Sequence, residues 1–236
     1  LPGPGLKFHP LPLGCSIGDV TFFNGAGGST STTGIVLGAS NTDDGTFNFT
    51  PAPTPVYACD ATLGYTKIQA LYKTTVSPDI WAILETGQKH YITSPESFNL
   101  YKCDWNRVQV VSVSKLNSYA NATLVRTPTN ATIYHLFDRS IVKWLKINLP
   151  SPTIFISYSD NYWGNVARIN HLDIASYPDV QLIKEESNTA IYLIEGNNKR
   201  KFTSAQSFES KGYDWAEVAN LNQIHLDSFT NGPDID

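Results

Sequence analysis

Five histidines, three cysteines and a scatter of carboxylates are the side chains of this 236-residue chain that could do chemistry, and their spacing argues against most of it. His9, His90, His135, His171 and His225 nowhere form the His-Glu-x-x-His pattern that sets two imidazoles on one helix face for zinc. No two of Cys15, Cys59 and Cys103 have the close spacing of a zinc site. Asn24-Gly25-Ala26-Gly27-Gly28 is rich in glycine but lacks the Lys-Ser/Thr that would follow in a phosphate loop. Asp43-Asp44-Gly45 and Asp160-Asn161 offer oxygen ligands of the kind calcium takes without completing a loop motif, so polar turn chemistry competes with calcium there. Glu85 and Glu195 recur at matching turns, with Asp138 near the same place between them. A glycosidase uses one carboxylate pair, whereas recurrence fits a turn or ion-pair role. No catalytic residue, cofactor or metal is expected, and the chain reads as a non-enzyme.

Aromatic side chains are the stronger lead, since sugar rings stack on them. Trp105, Trp163 and Trp215 recur at spacings of 58 and 52 residues, as a core residue needed by each unit would. Trp81, Trp144, Tyr158 and Tyr162 are not equally repeated and are the candidates for a binding face, with packing as the competing role.

The totals bound the partners. Net charge is −4 with no basic run, which excludes the long-range field that nucleic acid needs. Only 16% of residues are charged, against about 25% in an ordinary soluble domain. No window is apolar for the roughly 18–20 residues of a membrane-spanning helix. The chain has no methionine and begins at Leu1, so a processed product is expected, with removal of a secretory signal as the simplest cause. In a secreted chain Cys15 would pair with Cys59, leaving Cys103 as a small buried hydrophobe; three reduced cysteines in a cytosolic protein are the alternative. Asn48, Asn121 and Asn130 each open a glycosylation sequon, meaningful where the host glycosylates secreted proteins.

The elements that must position these residues fall into five segments. Residues 1–14 hold several prolines and the apolar Leu6, Phe8, Leu11 and Leu13, predicting an extended arm suited to packing on another surface. Residues 15–67 carry short β-prone runs, Asp19–Phe23, Thr33–Leu37 and Thr46–Thr50, between Gly, Ser and Asn clusters, predicting a small all-β domain. Three tandem repeats then span 68–121, 122–179 and 180–236, each opening on an apolar–apolar–basic step (Leu71-Tyr72-Lys73, Leu124-Val125-Arg126, Leu182-Ile183-Lys184). One copy reads as hairpin, short helix, strand and turn, with Glu85-Thr86-Gly87 and Gly196-Asn197-Asn198 as the hairpin turns. In the middle copy Pro150-Ser151-Pro152 and the β-branched run Thr153–Tyr158 predict a strand in place of that helix, with an insertion around Asn148–Asp160. The fold class expected is α+β, mostly β.

The third copy, through Tyr192–Glu195, Lys199-Arg200, Ser204, Phe208, Gly212-Tyr213, Trp215 and Val218, resembles a short repeat of bacterial secreted and cell-surface proteins. The first copy shares Glu85, Lys89, Ser94, Phe98, Trp105 and Val108 but has Lys102 for the glycine and Cys103 for the tyrosine; the middle copy matches at its two ends. The resemblance covers about residues 68–236 and implies extracellular display, accessory binding or structure, with no catalytic residues to transfer. Together these features predict an extracellular structural or adhesive protein. A surface-filament subunit that adds its N-terminal arm to a neighbouring copy is one form of it. The alternative is a carbohydrate- or cell-wall-binding module. Its partners would be copies of itself or surface polysaccharide.

Overall fold

Three serines decide where the chain turns helical. Ser94, Ser151 and Ser204 are extended, and their hydroxyls accept the backbone N–H of Ser97, Ile154 and Ser207. Each thereby satisfies a donor that a first helical turn leaves without a partner. The computed structural model describes residues 20–23, 29–32, 36–41, 47–51, 56–138 and 144–236. The chain divides into two units, 1–55 and 56–236. In the first, β1 (Val20–Phe23) pairs antiparallel with β2 (Ser29–Thr32), and β3 (Val36–Asn41) with β4 (Phe47–Pro51). The arm residues Leu6, Phe8, Leu11 and Leu13, together with Cys15, lie outside the described residues.

Repeat one contains β5 (Ile68–Thr74), β6 (Ile80–Leu84), β7 (Gln88–Ile92), α1 (Pro95–Leu100), β8 (Val108–Val111), α2 (Val113–Asn117) and β9 (Ala120–Asn121). Repeat two contains β10 (Leu124–Arg126), β11 (Ile133–Phe137), β12 (Leu145–Leu149), α3 (Pro152–Ile156), β13 (Ala167–Arg168) and α4 (His171–Ser176). Repeat three contains β14 (Leu182–Glu185), β15 (Ile191–Glu195), β16 (Asn198–Lys201), α5 (Ala205–Ser210), β17 (Val218–Leu221), α6 (Gln223–Asp227) and β18 (Thr230–Asn231). A single 3-10 turn starting at Trp105, Trp163 or Trp215 precedes β8, β13 and β17. The three sheets run β8-β5-β6-β7-β9, β13-β10-β11-β12 and β17-β14-β15-β16-β18. Each is an antiparallel three-strand meander whose first strand gains a parallel neighbour from beyond the helix. The fold is α+β and mostly β.

The middle copy keeps its helix. Pro152 sits in the first turn of α3, as Pro95 does in α1. At that place the missing proline N–H would have had no helical acceptor, and the fixed φ suits a helix start. Most of the extra length lies in the hairpin: Ile133 pairs with Leu149, 16 residues on, where Ile80 pairs with Ile92, 12 residues on, and one further residue lies between Phe155 and Trp163.

Residues 56–66 belong with the repeats rather than with the N-terminal unit, which ends at Pro55 instead of residue 67. The Ala58 N–H donates to the Ile68 carbonyl (2.8 Å) and the Asp60 N–H to the Tyr101 carbonyl (3.2 Å), which seats this segment on the end of α1. There Cys59 meets Cys103, and these two form the disulfide, not Cys15 with Cys59. Both pairings close the same 44-residue separation, so loop entropy does not distinguish them; docking of 56–66 on repeat one does.

Sheets stack because each carries apolar residues on both faces. Along β10, Leu124 joins the cluster of its own repeat with Phe155, while Val125 joins a cluster shared with Leu71 and Phe98 of repeat one. Along β14, Leu182 faces Phe208, and Ile183 packs with Leu145 and Ile147 of repeat two. A lysine, buried in repeats one and three and part-buried in repeat two, ties each repeat to its last helix: Lys89 Nζ donates to the Leu116 carbonyl (3.2 Å), Lys199 Nζ to that of Leu226 (2.7 Å), and Lys146 Nζ to that of Tyr177. A cation is favoured there because a helix C-terminus presents unpaired carbonyls.

If Cys59–Cys103 holds 56–66 in place, Cys103→Ser loses about 4 kcal/mol of unfolding free energy on the chain-entropy estimate. Urea denaturation of the two proteins measures the difference. A loss below about 1 kcal/mol would mean that the segment docks without the bond.

Candidate binding groove between repeats one and two

Parallel pairing of β10 with β13 sets Arg126 directly beside Arg168. The same register elsewhere pairs Lys73 with Val110 and Lys184 with Asn220, so repeat two alone places two cations side by side. Like charges opposite one another on adjacent strands are destabilising. Among the described residues no carboxylate lies within ion-pair distance of either guanidinium. Among the described residues Arg168 Nε is buried without a hydrogen-bond partner, and Arg126 donates to the Asn130 carbonyl at 3.5 Å.

Both arginines line an open groove of about 480 Å3 at the joint of the two repeats. Its apolar wall comes from Trp163, Val166 and Ile133, and Thr66 of the docked 56–66 segment with Glu85 and Thr86 of repeat one closes the other side. Backbone bonds fix the joint: the Thr66 N–H donates to the Arg168 carbonyl (2.9 Å), and the Arg168 N–H donates to Thr66 Oγ1 (2.7 Å). Glu85, the one carboxylate of the lining, is drawn toward Lys67 at 3.8 Å. The volume falls in the range of small-ligand sites.

Trp105, Trp163 and Trp215 are not core residues. They are 50%, 53% and 48% exposed. The core position is taken by Phe98, Phe155 and Phe208; the indoles of Trp105 and Trp163 stack on theirs, centroids 3.8 Å apart in both, and that of Trp215 packs on Phe208 at 4.4 Å with the rings tilted by 40°. One indole face is thus held by the protein and the rest is open. In repeat three the indole N–H donates to Glu209 (3.2 Å); at Trp163 the described residues offer no such acceptor.

The aromatics singled out for not repeating do not converge. Trp81 lies half-buried in the repeat-one sheet beside Tyr91, with the Lys89 ammonium 5.3 Å from its ring. Trp144 packs against the cluster shared by repeats one and two. Tyr158 sits at the next joint, its hydroxyl 2.9 Å from His225 Nδ1. Tyr162 is exposed, and its ring lies so close to Gly164, which lines the groove, that a methyl there would meet it at 2.4 Å. Of the sequons, Asn130 is exposed in a turn, Asn121 is half-buried in β9 with Oδ1 enclosed, and Asn48 lies in β4.

Arg126 was visible in the sequence as one of three recurring basic residues, but Arg168 carried no signal of its own. Comparing copies position by position finds it: Arg168 stands where the others have Val110 and Asn220, and Gly164 where they have Asn106 and Ala216.

A second cluster has the residue types of an active site. Asp173 accepts from His90 Nε2 (3.0 Å), Tyr101 (2.6 Å), Ser97 (2.5 Å) and both the N–H and hydroxyl of Thr93 (3.0 and 2.6 Å). Asp173 and Ser97 are 0% exposed, Tyr101 2% and His90 3%, so no substrate reaches them. Ser97 also bonds the carboxylate rather than the imidazole, which leaves no activated nucleophile. The cluster joins α4 to repeat one and is structural. Burial raises the Asp173 pKa, but the His90 bond and charge and the hydroxyl donors outweigh it and hold the carboxyl at about 2. At the joint of repeats two and three, His225 takes the place of Asp173. Burial, then the neighbouring His135, hold His225 at about 4, and burial alone holds His135 at about 4.

No family model, curated protein or solved structure matches the chain. The groove therefore has to be read from its own chemistry. Asp43-Asp44-Gly45 lies outside the described residues, and among the described ones no group of three or more His, Cys, Asp or Glu converges on a metal-sized site.

These pKa values define two acid transitions. His135 and His225 stay neutral in the folded protein but protonate near 6.5 when unfolded, so stability falls from about pH 6.5 to about pH 4. The slope approaches at most about 2.7 kcal/mol per pH unit, two protons' worth. Asp173 stabilises while ionised, and that contribution is lost as pH falls from 3.8 to about 2. Denaturant midpoints measured across this range test both. A flat profile down to pH 4 would contradict the burial of the histidines.

Proposed function

We propose that this is a non-enzymatic adhesive protein that works outside the cell and holds surface polysaccharide on its repeat array. The observation that carries the reading is the trio of half-exposed tryptophans, Trp105, Trp163 and Trp215, each packed against a buried phenylalanine at the same place in its repeat. An indole fixed from behind keeps one apolar face ready for a sugar ring and loses little entropy on binding. Three such faces on one chain gain further from multivalency on a polymer. The Cys59–Cys103 bond supports an oxidising compartment, and the resemblance of residues 68–236 to repeats of bacterial secreted proteins supports surface display. Among the described residues no helix is long and apolar enough to cross a membrane. Assembly into a filament through Leu6, Phe8, Leu11 and Leu13 rests on residues outside those described, so the array carries the proposal.

Retention on insoluble polysaccharides tests it. Each single Trp→Ala change should weaken retention a fewfold, about 0.5–1.5 kcal/mol per aromatic contact. The triple variant should elute with the void volume while keeping its circular dichroism spectrum. Equal retention of the triple variant and the parent would refute the role of the tryptophans.

A further inference from the structure

The three tryptophans are equivalent, but their surroundings are not. Beside Trp105 and Trp215 the parallel strand pair carries Lys73 with Val110 and Lys184 with Asn220; beside Trp163 it carries Arg126 with Arg168. From this juxtaposition, in one groove, of an open indole and two guanidiniums that have no ion-pair partner among the described residues, we infer that repeat two binds an acidic saccharide through its carboxylate. The inference rests on the polysaccharide reading above and narrows it to one sugar class at one site.

Four observations carry it. The arginine pair repels itself, and the described residues supply no carboxylate to either member, so an anion in the groove removes an existing cost. Among the described residues Arg168 Nε is a buried donor with no acceptor, and of the buried polar atoms in that state it alone belongs to a residue lining the groove. Guanidinium is planar and forked, which matches a carboxylate bidentately, so two arginines favour a carboxylate over a neutral hydroxyl cluster. Finally, the groove volume of about 480 Å3 accepts one or two sugar rings, and the Trp163 N–H, without the acceptor that Glu209 gives Trp215, is left to donate to a hydroxyl.

The site also has a sign that the next joint lacks. The recess between repeats two and three, about 260 Å3, is lined by Asp179, which pairs with Lys146 (3.1 Å), and by Glu217, and none of its described lining residues is an arginine, so it offers the same ligand no guanidinium fork. Acidic sugar is therefore placed at the first joint alone, with the outer tryptophans serving neighbouring rings of the chain irrespective of charge. A bare uronate monomer should bind weakly, because it engages the arginines without the flanking stacks.

Calorimetric titration of the whole chain with trimers of galacturonate, glucuronate and mannuronate, and with their methyl esters, tests the inference. Esterification removes the charge and keeps the ring. At least one trimer should bind, its ester at least tenfold more weakly, and binding should fall as salt rises. Arg126→Gln and Arg168→Gln should each cost at least tenfold in affinity for that trimer. Because each also removes a like-charge contact, the melting temperature should stay the same or rise, which a purely structural arginine would not allow. Ester binding equal to that of the acid, or unchanged affinity in both arginine variants, overturns the acidic-sugar site. If no uronate binds but neutral polysaccharide is still retained through the tryptophans, this inference fails while the adhesive reading stands. If the native chain holds neither acidic nor neutral polysaccharide, both fail.

Discussion

A carboxylate with no exposure, Asp173, is the interaction on which the joint between repeats one and two depends. An ionised group costs several kcal/mol to bury unless its lone pairs are filled. Here five bonds from four residues of repeat one fill them, and all four residues lie between His90 and Tyr101. Asn170, the cap of α4, adds its own amide to Ser97 (2.7 Å), so the helix that carries Asp173 is tied to repeat one twice. Rotation of repeat two against repeat one would strand the charge. The joint is thereby set to one geometry, and the Thr66–Arg168 backbone pair lies along it.

The next joint shows the same plan with different chemistry. Asn222 caps α6 as Asn170 caps α4, and His225 occupies the place of Asp173. Its facing residues change with it: Ile147, Pro150 and Ile154 stand where His90, Thr93 and Ser97 face the carboxylate, and only the tyrosine, Tyr158 for Tyr101, keeps its bond. Acceptor and donors have changed together. A neutral imidazole has two ring nitrogens to satisfy; Tyr158 meets Nδ1, and among the described residues Nε2 is buried without a partner, which costs less than burying a bare carboxylate. Shared caps, hairpin turns and phenylalanines build the frame. The residues that differ between copies, Arg168 and Gly164 above all, give one joint its chemistry.

Much of that frame was legible in the sequence because it is local. Gly87 and Gly196 as turn residues and the repeat itself can be read by spacing. What was missed depends on context that spacing does not carry. Pro152 reads as a helix breaker until its place in the first turn is known, where it is compatible with the helix. The recurring tryptophans read as core because large aromatics usually are, but the neighbouring phenylalanine already fills that position. The disulfide followed the docking of residues 56–66, and the arginine pair follows a parallel register across 42 residues of chain (126 to 168), neither of which a local pattern reveals.

The most direct test is to watch the groove itself. Amide and indole chemical shifts of the isotope-labelled protein, followed during titration with a uronate trimer, separate one specific site from three equivalent platforms. The account predicts that the Trp163 indole N–H and the amides of Gly164 and Arg168 move first and saturate together, with Trp105 and Trp215 responding only to longer chains. Shifts of equal size at all three tryptophans, or none at Gly164 and Arg168, would contradict it.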